Sequence, residues 1–364
     1  MKNYLNKYVN RINPYQPGRP IEEVARELNL DLNNIAKLAS NECPLGPSPK
    51  AVKAMKKYAN EMHLYPDGGA YYLRKKISEK YNLPPSNFIF GNGSNEILEF
   101  IGHCLIQEGM SVVASKHSFI VYKLITNMFG GEFIETDMTE DLTHDLDAML
   151  DAIREDTRIV FICNPNNPTG SMVDNEELYN FIEKVPDDIL IVFDEAYAEI
   201  AMEEMPITLK YVVTKNNVII LRTFSKAYGL AGLRIGYGIA NPEIIEFLNK
   251  PRQPFNVNRM AQKAAIAALD DDDFVGDCSV VYRNGANQFI NFCIENRLEF
   301  IDPTANFILI KVGDGLDVFE KLQNQSVIVR PMMPYQLPEW IRISFGTNEE
   351  NQKFIDEFQK IIDK

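Results

Sequence analysis

The stretch Leu221-Arg-Thr-Phe-Ser-Lys-Ala-Tyr-Gly-Leu-Ala-Gly-Leu-Arg234 carries the densest set of reactive side chains in this sequence. An apolar run leads into Thr223, Ser225 and Lys226, and a glycine-containing turn then leads to Arg234. A lysine after a strand is by itself ordinarily a solvated surface residue. Here small residues and glycines flank it and permit close approach, and two hydroxyls and a guanidinium stand near enough in sequence to bind one phosphate. A lysine beside a phosphate cradle is what a Schiff-base cofactor with a phosphate handle requires.

Three other segments end in groups suited to the same ligand. Asp194 closes the run Ile-Leu-Ile-Val-Phe-Asp-Glu-Ala-Tyr197, where an acid after five apolar positions is poorly solvated unless it has a partner. A pyridinium N–H is such a partner, and the ion pair would keep a ring nitrogen protonated and the ring an electron sink; a salt-bridged or helix-capping Asp is the plainer alternative. Cys163-Asn-Pro-Asn-Asn-Pro-Thr-Gly170 has the residues of an ordinary turn. Its two prolines and glycine also fix the backbone, so that Asn167 can aim an amide at a ligand. Gly91-Asn-Gly-Ser-Asn-Glu96 fails as a dinucleotide fingerprint, because Glu96 stands where a third glycine is wanted. As a helix N-terminus offering backbone N–H groups and Ser94 to a phosphate it is sound.

These segments need a scaffold that brings them to one place. Phe88–Phe90, Ser111–Ala114, Glu132–Thr136, Ile159–Cys163, Leu190–Phe193, Val218–Leu221 and Ile235–Ile239 read as strands, several of them apolar at consecutive positions. Helix patterns lie between them, such as Asn95–Gln107 opened by Ser94 and Asn175–Lys184 opened by Asp174. Such alternation predicts an α/β body with a mostly parallel, helix-covered sheet, whose ligands sit at the carboxyl ends of the strands. After Pro254 the pattern becomes α+β: a helix over Arg259–Leu269, strands over Phe307–Ile310, Val327–Arg330 and Trp340–Ser344, and a closing helix over Glu349–Ile362. The expected division is a large body over 45–255 and a smaller one formed by 1–44 with 256–364. The acidic run Asp270–Asp273 reads as a solvated helix end.

With 37 basic and 51 acidic residues the 364-residue chain has a formal charge of −14, which disfavours binding to nucleic acid. Any anionic ligand then needs individually placed arginines. No apolar run approaches the roughly 20 residues of a membrane span, and the N-terminus lacks the apolar core of an export signal. Five scattered cysteines without a CxxC pair, and four histidines without ligand spacing, point to a reducing cytoplasm and to no metal site.

The four motifs, in this order and spacing, resemble the fold-type-I pyridoxal-phosphate aminotransferases, and within them the histidinol-phosphate aminotransferase family. Leu38-Ala-Ser-Asn-Glu-Cys-Pro-Leu-Gly-Pro-Ser48, Tyr65-Pro-Asp67, Arg252-Gln-Pro-Phe-Asn-Val-Asn258 and Ile341-Arg-Ile-Ser-Phe-Gly-Thr347 carry that resemblance over nearly the whole chain. It implies that Lys226 holds pyridoxal 5'-phosphate covalently, that Asp194 pairs with the ring nitrogen, and that Asn167 and Tyr197 bind the ring oxygen. Phe119 would stack on the ring, in a place where the family often has Tyr. Ser94, Asn95, Thr223, Ser225 and Arg234 would cradle the phosphate, joined by Tyr65 from a neighbouring subunit, which implies a homodimer with shared sites. Arg342 would bind the substrate's carboxylate or phosphate, Arg330 its phosphate, and Tyr15 would lie in a segment covering the pocket.

The reaction so implied moves an amino group between histidinol phosphate and 2-oxoglutarate. Two departures bear on the donor: Cys43 stands where the family has Asn, and Met332-Met-Pro-Tyr-Gln-Leu-Pro338 is unusual between the two arginines. Relatives that transaminate phenylalanine or tyrosine, or that decarboxylate threonine phosphate, remain as alternatives.

Overall fold

The structure, a computed structural model, describes residues 6–12 and 18–363. Ala36–Lys37 forms a short strand, β1. The principal sheet follows, from Phe88–Gly91 (β2), Ser111–Ser115 (β3), Glu132–Thr136 (β4), Thr157–Cys163 (β5), Leu190–Asp194 (β6), Val218–Thr223 (β7) and Gly236–Ala240 (β8). Its order is β2-β8-β7-β6-β5-β3-β4. The pairs from β7 to β4 are parallel, whereas β8 runs antiparallel to both β7 and β2.

The unbroken apolar runs follow from burial on both faces. Alternate residues of one strand enter different cores: Ile191 and Phe193 join one layer, Leu190 and Val192 the other. Helices supply both covers. Asp174 caps the Asn175–Lys184 helix as expected, accepting from the amides of Glu176 and Glu177 at 2.8 and 3.1 Å. The Ser94–Leu105 helix starts differently: Gly93 is its N-cap, Ser94 makes no capping bond, and Glu96 accepts from the amide of Asn92 at 2.7 Å. Glu96 therefore secures the turn, and the Ser94 hydroxyl is not consumed by capping.

The C-terminal part contains Phe300–Ile301 (β9), Phe307–Lys311 (β10), Val327–Ile328 (β11), Arg330–Pro331 (β12) and Trp340–Ser344 (β13). An antiparallel sheet runs β12-β13-β10-β9, and β1 pairs with β11 in parallel. The single strand expected over Val327–Arg330 is thus two. Val327 and Ile328 pair with Ala36 and Lys37, the chain crosses at buried Val329, and Arg330 then pairs opposite Arg342. Pro331 has no N–H and ends the ladder. The acidic run is not simply solvated either. Asp271 is buried and accepts from the Ser48 hydroxyl and the Lys50 amide, fixing the start of the Pro49–Tyr58 helix.

Candidate active site

Strands β2, β5, β6 and β7 point the same way, so their carboxyl ends share one edge of the sheet. β8 runs back and begins at that edge. Register makes this concrete: Cys163 lies opposite Asp194, Asp194 opposite Leu221, and Gly236 sits between Thr223 and Gly91. Asn167, Asp194, Lys226, Ser94 and Arg234 are therefore neighbours although 140 residues separate the first from the last of them in the chain. A Cβ on Gly236 would collide with the Ser94 amide, and one on Gly93 (φ +73°) would come within 2.6 Å of the Arg234 guanidinium. Both glycines are needed for the strand ends and this arginine to close together.

A cavity of about 200 Å³ opens at this edge. It is lined by Ser94, Asn95, Phe119, Asn167 and Asp194 on one side, and by Tyr197, Thr223, Ser225, Lys226 and Arg234 on the other. Ten sequence-assigned residues are thus brought together. Cys163, Ala196 and Ala231 also line it.

Burial sets the electrostatics. Lys226 donates from Nζ to the Asn41 carbonyl at 3.2 Å, and its pKa is lowered to about 8, first by desolvation and then by the nearby Arg342 charge. Asp194 is only 4% exposed, and burial pushes its pKa up to about 6. Its Oδ2 accepts from the Tyr122 hydroxyl at 2.8 Å, and its Oδ1 has no hydrogen-bond partner among the described residues. Tyr197 is buried edge-on to Phe307, its pKa raised by burial, and its hydroxyl accepts from the Asn41 side-chain amide at 3.0 Å.

Arg342 joins this cavity to a second one. Its Nη1 donates to Asn167 Oδ1 at 2.6 Å and its Nη2 to the Ala39 carbonyl at 3.0 Å. Ala39 lines a cavity of about 540 Å³ that also contains Ser40, Arg19, Lys37 and Arg330, with Val329, Phe319 and Met333 as apolar wall. Arg330 is directly cross-strand from Arg342, so both side chains leave the same face of the sheet. Tyr65 lies elsewhere: it is 80% exposed and stacks on Phe255, with ring centroids 5.0 Å apart. Tyr15 lies outside the described residues.

Asn41 and Tyr122 were given no role from sequence. Asn41 lies inside the 38–48 motif, and only its partners in space reveal it as the junction of Lys226, Tyr197 and Ser344. Tyr122 follows Phe119 at i+3, a helical spacing that places both near one end of a helix, but nothing in the sequence aims it at Asp194.

A fold of this kind, with a lysine, an aspartate and an arginine at the strand ends, defines a class, and the comparisons agree. Residues 33–358 match the model for aminotransferase class I and II, and the chain belongs to that family. It is 47% identical over 362 residues to the histidinol-phosphate aminotransferase of Akkermansia muciniphila, covering 100% of this chain and 99% of that one. The histidinol-phosphate aminotransferase of Caldicellulosiruptor saccharolyticus is 43% identical over 360 residues, covering 98% and 100%. The crystal structure of histidinol-phosphate aminotransferase from Sinorhizobium meliloti, in complex with pyridoxal-5'-phosphate, superposes with a TM-score of 0.91 at 27% identity, covering 100% and 98%.

Proposed function

We propose that the chain holds pyridoxal 5'-phosphate in the 200 Å³ cavity and transfers an amino group between histidinol phosphate and 2-oxoglutarate. The residues fit the cofactor. The buried, half-satisfied Asp194 carboxylate lacks only a donor at Oδ1, which a pyridinium N–H supplies. The start of the Ser94–Leu105 helix with Thr223, Ser225 and Arg234 offers amides, hydroxyls and a cation to a phosphate. Phe119 supplies an aromatic face, and Asn167 and Tyr197 supply groups for a ring oxygen.

When bound, this cofactor supplies a cationic conjugated ring that accepts the electrons left behind as a substrate's Cα proton departs. The chain's own residues do the rest. Lys226, with its pKa near 8, sits where it can take that proton near neutral pH and give it back. Asp194 keeps the ring cationic. Arg342, fixed between Asn167 and Ala39, orients the donor or acceptor anion.

The observation that carries the choice of donor is Arg330 in the adjoining cavity, with Lys37 and Arg19 beside it. Arg330 lies beside Arg19, which pairs with Glu23 and Glu27, and Lys37, which pairs with Glu42, so the space is rimmed by guanidinium and ammonium groups suited to a phosphate; an aromatic donor needs only the apolar wall. Relatives named for histidinol phosphate over their full length support the same donor. The proposal includes a homodimer in which Tyr65 reaches the partner's cofactor phosphate, since Leu64, Tyr65, Tyr71 and Tyr72, close in sequence, are all exposed. It also includes a cytoplasmic location and the division into a body over 45–255 and one over 1–44 with 256–364. Among the described residues no helix is long and apolar enough to cross a membrane.

The test is a single-turnover comparison of cofactor-loaded protein with histidinol phosphate, phenylalanine and threonine phosphate, following the visible band. Fastest decay with histidinol phosphate, with formation of the 2-oxo product on recycling by 2-oxoglutarate, is the expected result. Faster decay with phenylalanine, or release of carbon dioxide from threonine phosphate, would replace the donor assignment.

A further inference from the structure

Two of the five cysteines face each other beside this site. Cys43 Sγ and Cys278 Sγ are 3.3 Å apart, bridging residues 235 apart in sequence. Cys43 is partly exposed, whereas Cys278 is fully buried on the Asp272–Asn296 helix. The arrangement is asymmetric in the way a two-thiol reaction needs. The hydrogen bond with Cys278 holds the Cys43 pKa down, while Cys278 is held up. The outer sulfur is the solvent-reachable one and the more readily ionised, and the inner one lies buried behind it. A disulfide has its sulfurs about 2.05 Å apart, so closure asks each sulfur to move by only about 0.6 Å.

The segment that bears Cys43 also holds the catalytic lysine. Two residues earlier, the Asn41 carbonyl accepts from Lys226 Nζ, and the Asn41 side chain donates to Tyr197. The Asn41 amide and Oδ1 are both bonded to Ser344 Oγ at 2.8 Å. Asn41, which touches both Lys226 and Tyr197, therefore lies two residues from Cys43.

We propose that Cys43 and Cys278 form an oxidation site for a hydroperoxide, that they close to a disulfide, and that closure acts on Lys226 through Asn41. The Cys43 thiolate attacks the terminal peroxide oxygen; the O–O bond breaks, and the rest of the peroxide leaves as an alcohol, or as water from hydrogen peroxide. Cys43 is then a sulfenic acid. The Cys278 sulfur attacks the Cys43 sulfur, the S–O bond breaks, and the hydroxyl leaves with a proton as water. Two thiols lose two electrons and two protons, and one hydroperoxide is reduced. The first part stands independently of the proposed function; the action on Lys226 rests on it.

The experiment uses full-length, cofactor-loaded protein carrying Cys104→Ser, which removes the exposed thiol. It is treated with stoichiometric hydrogen peroxide, quenched, denatured and alkylated with N-ethylmaleimide. Of the four remaining thiols, two become unavailable, and peptide mapping joins Cys43 to Cys278. Hydrogen exchange over residues 40–46 slows, and transamination falls on the order of tenfold, since displacements near 1 Å at a reacting centre have effects of that size or larger. Dithiothreitol restores both. Cys278→Ser keeps the basal rate and loses the linked peptide; if that variant does not fold, Cys43→Ser is read for loss of the linked peptide alone. Four alkylatable thiols after peroxide, or oxidation confined to Cys163 or Cys293, overturns the oxidation site. A linked pair with unchanged exchange over 40–46 and unchanged rate overturns the coupling to Lys226. Absence of transamination before peroxide is a failure of the proposed function, and the thiol count and the exchange data still decide both parts of the proposal.

Discussion

The two cavities linked by the hydrogen bonds of Arg342 to Asn167 and Ala39 are built in opposite ways. The smaller one draws its polar groups mostly from the carboxyl ends of β2, β5, β6 and β7 and the start of β8, held at one edge of the sheet. The larger one is assembled from residues 18–24, 37–40 and 328–334 against one face of the Gly315–Asn324 helix, pieces of unlike structure. The first is rigid and electrostatically tense, with a depressed lysine and an elevated aspartate. The second is roomy and partly apolar, with Arg330 on its wall beside the ion-paired Arg19 and Lys37. On the proposed function this contrast becomes a division of labour: the sheet edge would carry the chemistry, and the second cavity would select the molecule on which it is done. Arg342 bonds to a lining residue of each, Asn167 and Ala39.

The sharpest way to break this division is at Lys226. Lys226→Ala should lower the transamination rate by more than roughly 10³-fold, as expected when a nucleophile and proton carrier are lost together. The visible band should disappear while phosphate-donor binding by calorimetry persists. Loss of donor binding as well would mean that the two cavities are not separable. Asp194→Asn should follow, with a fall of roughly 10²-fold or more from weakened electrostatic support.

Asp194→Asn also carries a stability signature. In the cofactor-free fold its pKa is about 6 instead of 3.8, so between these values the folded chain binds more protons than the unfolded one. Stability therefore falls as pH rises through that window, and the cost is complete above about pH 6. The rise corresponds to up to about 3 kcal/mol. Cofactor-free Asp194→Asn should thus melt higher than wild type at pH 7.5, with the difference shrinking toward pH 4. An equal or lower melting point at pH 7.5 would mean that Asp194 is not strained by burial.

The same contrast governs what could be read from sequence. The sheet edge was legible because consecutive apolar residues buried on both faces announce each strand, and the chemistry follows directly at its end. Asp194 needed no spatial information beyond the five apolar residues before it. Asn41 was illegible because its partners Tyr197, Lys226 and Ser344 come from elements up to 303 residues away. The second cavity was half legible: Arg330 stood out at the end of an apolar run, but Lys37 and Arg19 did not. The run itself divides between two sheets at Val329, which apolarity alone cannot reveal. Asp271 shows the same limit, since four successive aspartates read as solvated whichever of them is buried under Ser48.

Selection is tested at Arg330. Arg330→Ala should lower kcat/KM for histidinol phosphate by roughly tenfold to a hundredfold, the range for a charge-assisted contact, mainly through KM. The glutamate half-reaction, which leaves the phosphate place empty, should change by less than about threefold. An equal loss in both half-reactions would move Arg330 from selecting the donor to supporting Arg342, its cross-strand neighbour.

The smallest effect is expected at Tyr122, and it probes how the rigid cavity holds its aspartate. The Tyr122 ring stacks on Phe161 with centroids 4.4 Å apart and planes 4° from parallel, and its hydroxyl is the one side-chain donor shown on Asp194. Tyr122→Phe keeps the ring packing and removes only the hydrogen bond. Because that bond favours the charged carboxylate, its loss should raise the Asp194 pKa further. The ring nitrogen it serves is then less firmly protonated, and kcat should fall by roughly threefold to tenfold. A merely structural role would lower the melting point and leave the cofactor spectrum alone. A positioning role shifts the pH midpoint of the visible band with little change in melting, and Tyr122→Phe separates the two.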